Sequence, residues 1–134
     1  MSLLSNKLRK WINSDNSDEG FSYYCQGCNS AHTIKTKGAG AWGWNGDMEK
    51  PVFTPSVLVT GVDFTEKGRA DYDAWFAADC PQPPPPAFES KDMRCHTFVG
   101  CNGAQPGEVI FLSDCTHALA GQVLPFADLP EWMA

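Results

Sequence analysis

A small β-rich domain is the fold class that this sequence predicts. Its 134 residues suffice for one hydrophobic core and are too few for two. Twelve glycines and ten prolines indicate many turns, and short runs of alternating apolar and polar residues are typical of half-buried strands. We therefore expect an all-β or α+β architecture with small antiparallel sheets around a zinc-ribbon-like site. A short N-terminal helix and a proline-rich surface excursion should complete it.

The first twenty residues are predicted to form a helix and a linker. The apolar residues of the first dozen recur at helical spacing, and they are Leu4, Leu8, Trp11 and Ile12. Residues 13–20 contain no apolar side chain, which is typical of a linker. The ordered domain should therefore comprise residues 21–134.

Alternating patterns in the remainder predict strands separated by turns. The predicted strands are 21–25, 32–37, 41–45, 53–60, 95–99 and 108–112. Residues 62–94 interrupt the series and contain four consecutive prolines, which impose a polyproline conformation and prevent regular strand pairing. We interpret this segment as a surface excursion inserted between two strands.

The charge and hydropathy patterns exclude some classes of function. A formal net charge of −6 disfavours nucleic-acid binding, which depends on clustered lysines and arginines. No stretch approaches the roughly 18 apolar residues needed to span a bilayer, and the pattern of a secretory leader is missing. We expect a cytoplasmic protein with a protein partner, and the sequence does not indicate its oligomeric state.

The strongest local motif is the C-x2-C of Cys25 and Cys28, which we interpret as half of a zinc site. Zinc takes four donors in a tetrahedron, so a second pair must come from elsewhere. The two alternatives are a redox motif and a pair of ordinary buried thiols. Redox motifs of this spacing open a helix within a βαβ unit, and this sequence shows no such unit. Without a secretory leader, the six cysteines favour a metal over disulfides.

The second pair of ligands follows from strand geometry. Cys95 and His96 are adjacent on a predicted strand and point to opposite faces, so both rarely reach one ion. A folded hairpin would bring Cys95 beside Cys115. The predicted zinc ligands are Cys25, Cys28, Cys95 and Cys115, with His117 as the alternative fourth ligand. His32 lies nearer to the C-x2-C and is a further candidate.

Ser56, His96 and Asp114 are the candidate catalytic residues. A histidine can accept the proton of a serine, and an aspartate can fix the imidazole tautomer. His117 could support the base in place of Asp114. The alternative interpretations are local hydrogen bonding by Ser56, turn capping by Asp114 and a structural histidine. A catalytic zinc with three protein ligands and a bound water is a third possibility.

Four segments together resemble a known family. They are C-Q-G-C-N-S-A-H-T-I (25–34), W-G-W-N-G-D-M-E-K-P-V-F-T-P-S-V (42–57), C-H-T-F-V (95–99) and F-L-S-D-C-T-H-A-L-A-G-Q (111–122). The family comprises small uncharacterised phage and prophage zinc-binding proteins, sometimes mislabelled "ammonia monooxygenase". That label implies a membrane metalloenzyme, for which this acidic chain has neither spans nor a site. The excursion at 62–94 departs from the family pattern, which has a short turn there.

The resemblance implies a phage-encoded accessory protein in an infected or lysogenic bacterium. Its structural zinc domain would bind a host or phage protein. More distant relatives occur beside bacterial ubiquitin-like conjugation genes, and their P-S and H-F elements correspond to Ser56 and His96. The resemblance to them implies the alternative function, a hydrolase of the peptidase type that uses these two residues.

Overall fold

The protein is β-rich and contains two small antiparallel sheets and one α-helix, as the sequence predicts. The structure is a computed structural model, and it describes residues 6–85 and 87–133. The chain divides into two compact units. Unit 1 comprises Met1–Val59 and Arg94–Ala134, and unit 2 comprises Thr60–Met93.

Unit 1 contains a three-stranded sheet in the order β1-β2-β3. Its strands are β1 (Arg9–Ile12), β2 (Glu19–Cys25) and β3 (Ser30–Lys37). The turn between β2 and β3 holds the C-x2-C motif and is closed by the pairing of Cys25 with Ser30. Asn29 adopts a φ of 52°, a left-handed conformation that asparagine tolerates better than most residues.

The predicted N-terminal helix is replaced by strand β1 in residues 9–12. An isolated helix of about a dozen residues is marginal in water, whereas pairing with β2 gives this backbone regular hydrogen-bond partners. Leu8, directly before β1, is fully buried in the core, so its apolar side chain packs there without a helix. Residues 1–5, which include Leu4, lie outside the described residues.

The second sheet has five strands in the order β4-β5-β6-β7-β8. They are β4 (Gly43–Trp44), β5 (Phe53–Phe64), β6 (Ser90–Val99), β7 (Glu108–Phe111) and β8 (Val123–Pro125). A 3₁₀ turn at Glu131–Met133 follows. Strand β8 was not among the predicted strands, because its three residues are too short to show a pattern.

One apolar core joins side chains from both sheets in unit 1. Its large members are Phe21, Tyr23, Ile34, Phe53, Val57, Val99, Phe111 and Phe126. Strand alternation decides which residues remain outside it, because successive side chains point to opposite faces. Val57 and Thr97 are buried, so the residues next to them along their strands face away from the core.

Unit 2 contains the helix α1 (Glu66–Ala77) and the proline-rich segment. The helix begins at the N-cap Thr65, whose hydroxyl accepts the Gly68 N–H. Gly68 lies so close to the Glu89 carbonyl that a Cβ would be 1.8 Å from its oxygen. Unit 2 spans nearly the same residues as the predicted excursion 62–94. The helices among the described residues are too short or too polar to cross a membrane.

Candidate active site and thiol cluster

Ser56 and His96 lie on neighbouring strands of the five-stranded sheet, and both point away from the core. Ser56 precedes the buried Val57 on β5, and His96 lies between the buried Cys95 and Thr97 on β6. The Thr97 hydroxyl donates to the Val57 carbonyl across the two strands at 3.5 Å. The alternation of both strands therefore places the serine and the imidazole on one face of the sheet.

A chain of hydrogen bonds connects Ser56, His96 and Asp114. The Ser56 Oγ is 2.9 Å from His96 Nε2, and His96 Nδ1 is 3.2 Å from Asp114 Oδ2. Asp114 follows β7 in a turn, and its carboxylate is also 4.0 Å from an Arg94 guanidinium nitrogen. The His96 side chain is 26% exposed and that of Asp114 is 42% exposed, so the chain of groups is accessible from solvent.

This order of groups has the layout of a nucleophile, a base and an orienting carboxylate. If Nδ1 carries the hydrogen that Asp114 accepts, then Nε2 has a free lone pair facing the serine hydroxyl. The imidazole can then accept the Ser56 proton. The structure brings together the three residues that the sequence predicts as catalytic.

The main chain beside the serine is held by a tryptophan. The Trp42 indole nitrogen donates to the Ser56 carbonyl at 3.1 Å. No pattern in the sequence predicts this contact, because an aromatic residue on a strand is more often part of the core. Trp42 therefore helps to hold the backbone that carries Ser56.

A turn of three residues holds the β6 backbone at His96. The Thr116 N–H donates to the Arg94 carbonyl at 2.9 Å, and the Arg94 N–H donates to the Thr116 hydroxyl at 3.0 Å. The Cys115 thiol accepts the His96 N–H and donates to the His96 carbonyl, both at 3.3 Å. Asp114 is the first residue of the same turn.

A cluster of thiols and imidazoles lies on the core side of β6 and can hold a metal ion. The donor atoms of Cys25, Cys28, His32 and Cys95 all lie within 4.8 Å of one another. Three of these residues come from the β2–β3 hairpin, and Cys95 comes from β6. A second group within the same distance consists of Cys95, Cys115 and His117, so Cys95 belongs to both groups.

The imidazole of His117 packs against the C-x2-C turn. A Cβ on Gly27 would lie 2.2 Å from His117 Cε1, so only glycine leaves room for the ring. His117 Nδ1 accepts the Leu119 N–H at 3.2 Å, and Nε2 lies 3.4 Å from the Cys95 sulfur. In the neutral tautomer that this bond requires, Nε2 carries a hydrogen and donates it to Cys95.

The cluster favours one thiolate among three close thiols. A hydrogen bond from the Cys28 thiol, aided by one from Cys95, holds the pKa of Cys25 far below its usual range. The contact with Cys25 raises the pKa of Cys28 to about 12 and that of Cys95 well above its usual range. A cation would remove this conflict, because it stabilises several thiolates at once.

The structure distributes the predicted site residues over the two faces of β6. His117, which the sequence left as an alternative support for the base, contacts Cys95 instead, and Asp114 contacts His96. Cys115 lies within 4.8 Å of Cys95 and His117. His32 is buried, and its Nε2 has no hydrogen-bond partner among the described residues. The feature of the sequence that indicated His32 as a candidate ligand is its position four residues after Cys28.

Comparison with protein families identifies one match. A model described as bacterial ubiquitination-like system serine protease (BubE) matches residues 3–106. The matched range contains Ser56 and His96 and ends before Asp114. The comparisons with curated proteins and with solved structures give no match. The match covers most of the 134 residues and fits the expected relation to ubiquitin-like conjugation genes, so the chain belongs to the BubE family.

Proposed function

We propose that this protein is a serine peptidase of a bacterial ubiquitination-like system. One observation carries the proposal, which is the continuous contact from the Ser56 hydroxyl through the His96 ring to the Asp114 carboxylate. The family description supports peptide-bond cleavage as the reaction. The proposal corresponds to the alternative function that the sequence suggested.

The reaction would proceed through two transfers at Ser56. Its oxygen attacks the carbonyl carbon of the peptide bond while His96 Nε2 takes the hydroxyl proton. The tetrahedral intermediate collapses, the C–N bond breaks, and the amine leaves with the proton from His96. Water then attacks the acyl-enzyme while His96 takes one of its protons. The ester C–O bond breaks, His96 returns that proton to the Ser56 oxygen, and the carboxylic acid leaves.

Asp114 would act through the imidazole. Its carboxylate accepts the Nδ1 hydrogen, so the lone pair of Nε2 faces the serine. The same carboxylate stabilises the imidazolium that forms when the Ser56 proton is transferred.

We further propose that the thiol cluster binds zinc as a structural ion. Thiolate and imidazole donors suit zinc better than harder cations such as magnesium. Cys25, Cys28 and Cys95 would supply three donors. The sequence predicts Cys115 as the fourth, with His117 as the alternative, and His32 is a further candidate because it lies within 4.8 Å of the other three. Four protein donors would give the ion a stabilising role. Elemental analysis of the purified protein tests for one equivalent of zinc.

A fluorophosphonate probe tests the proposed activity. The Ser56 oxygen should displace fluoride and form a bond to phosphorus, and digestion with mass spectrometry should locate the label. Ser56→Ala should abolish labelling, and His96→Asn should slow it by about 100-fold or more. Ser22→Ala is the matched control, because Ser22 lies on β2 and its hydroxyl is 3.2 Å from the Thr33 hydroxyl, away from His96. It should be labelled like the wild type.

Failure of the labelling would favour the other hypothesis from the sequence. If Ser56 stays unlabelled in a folded, metal-bound protein, the peptidase proposal is wrong. A phage-encoded accessory domain that binds a host or phage protein would then be the better account, and it stays a prediction. The cytoplasmic location also stays a prediction, and the six free thiols are compatible with a reducing compartment.

A further inference from the structure

We infer that Cys115 is a positioning residue for His96, and this inference rests on the proposed function. Regular pairing of β6 with β7 covers only Thr97 to Val99. The His96 backbone lies just before that ladder, and its carbonyl accepts the N–H of Leu112, the residue after β7, at 2.9 Å. The Cys115 side chain accepts the His96 N–H and gives the His96 carbonyl a second hydrogen bond, both at 3.3 Å.

The contact is part of a clamp of two consecutive side chains. The Thr116 hydroxyl and N–H bond the backbone of Arg94, and the Cys115 thiol bonds that of His96. Together with the Leu112 N–H, these two residues extend the contacts of β6 beyond its ladder with β7. Cys115 therefore contacts the His96 main chain beside Leu112, and Asp114, the residue before Cys115, contacts the His96 ring.

Two adjacent residues of one turn, Asp114 and Cys115, thus contact the ring and the main chain of His96. A shift of β6 relative to the turn would alter the distance from Nδ1 to Asp114 and the distance from Nε2 to Ser56 together. Such displacements are costly, because misplacement of a catalytic group by about 1 Å can lower a rate by about 100-fold. The thiol would contribute by keeping His96 in register, without touching the substrate.

Cys115 is also the fourth zinc ligand that the sequence predicts, and the two roles make different demands. A backbone clamp needs one hydrogen-bond donor and one acceptor, which a hydroxyl also supplies. A zinc ligand needs a thiolate, which a hydroxyl replaces poorly. The alternative group of Cys25, Cys28, His32 and Cys95 provides four donors without Cys115. The serine and alanine variants of Cys115 therefore separate the two roles.

The experiment compares Cys115→Ser and Cys115→Ala in the full-length protein. We expect the alanine variant to react with the fluorophosphonate about 10- to 100-fold more slowly in its inactivation rate constant, with unchanged probe affinity. The serine variant should stay within about threefold of the wild type, because its hydroxyl keeps both bonds. Both variants should retain one equivalent of zinc. Cys101→Ala is the control, since that thiol bonds the Phe53 carbonyl.

A second measurement reports on His96 directly. The Nδ1 hydrogen that bonds Asp114 should give a low-field proton resonance, which His96→Asn would assign by its loss. We expect Cys115→Ala to shift or broaden this resonance and Cys115→Ser to preserve it. Thermal unfolding confirms that each variant is folded.

Three results would overturn the inference. The first is loss of zinc from both Cys115 variants, which would identify the residue as a ligand. The second is an alanine variant with wild-type labelling, and the third is one with an unchanged His96 resonance. If wild-type Ser56 is not labelled at all, the proposed function fails, and the resonance alone decides the role of Cys115.

Discussion

Among single residues, Asp114 is the most exposed of the three proposed catalytic groups, with 42% of its side chain accessible. Exposure weakens the field of a carboxylate, so its main effect on His96 should be to fix the tautomer and the ring orientation. Water can replace part of an electrostatic contribution, but it cannot hold the ring. Substitution of Asp114 should therefore affect the orientation of the His96 ring more than the electrostatic stabilisation of its charge.

Asp114→Asn tests this role. We expect the rate constant for fluorophosphonate labelling at Ser56 to fall by about 100-fold or more, because an amide can present its NH₂ to the imidazole and select the wrong tautomer. Asp128→Asn is the matched control, since Asp128 is an exposed carboxylate paired with Lys7 at 2.8 Å. A rate for Asp114→Asn equal to that of the control would show that the serine is activated without the carboxylate.

Among the secondary-structure elements, β6 connects the proposed active site with the thiol cluster. Cys95 is 1% exposed on its inner face, and His96 follows it on the outer face. A strand cannot shift one of these residues without the other, because adjacent side chains share one backbone. Contacts in the thiol cluster therefore constrain the strand that carries His96.

Metal removal tests this coupling. We expect chelation of the zinc to lower the midpoint of thermal unfolding by more than about 10 °C and to slow Ser56 labelling. Added zinc should restore both quantities and magnesium neither, because magnesium binds thiolates poorly. Cys28→Ala should resemble the chelated protein, while Cys80→Ala in unit 2 serves as its control. Unfolding and labelling that do not change on complete metal removal would refute the coupling.

The sequence predicted most elements correctly where a periodic pattern extended over five residues or more. Strands β2, β3 and β7 follow their predicted positions within two residues, whereas β5 continues to Phe64 and β6 begins at Ser90, so both extend into the segment 62–94 that was predicted as an irregular excursion. The prediction was wrong at residues 9–12, because four apolar residues fit a helical spacing while the pairing of Arg9–Ile12 with β2 decides their structure. Propensity in so short a segment yields to tertiary contacts.

In the whole molecule, the sequence indicates the candidate residues of the site but not the contacts that bring them together. Residue type made Ser56, His96 and Asp114 candidates, and the P-S and H-F elements shared with more distant relatives supported Ser56 and His96. Their proximity depends on the pairing of β5 with β6 and on the turn after β7, and sequence spacing does not contain those distances. The roles of Trp42 and Cys115 were missed for a further reason, since both are contacts to backbone groups and such contacts leave no pattern in a sequence.

The division into units leads to a last prediction, which concerns the excursion. Ser56, His96, Asp114 and the donors of the thiol cluster all belong to unit 1. Unit 2 has its own aromatic contacts, such as Tyr72 against Phe88 at 5.5 Å between ring centroids. The Thr65 N–H donates to the Glu89 carbonyl at 3.2 Å, so the ends of the intervening segment lie close together.

We therefore expect that residues 66–88 can be replaced by Asn-Gly, a dipeptide that forms tight hairpin turns. The shortened protein should bind one equivalent of zinc and label at Ser56 within about threefold of the full-length rate, because short closures of surface segments are tolerated. The same deletion combined with Ser56→Ala gives the background. If the shortened protein folds and binds zinc but labels at that background level, the excursion is required for the active site, and the assignment of activity to unit 1 alone is wrong.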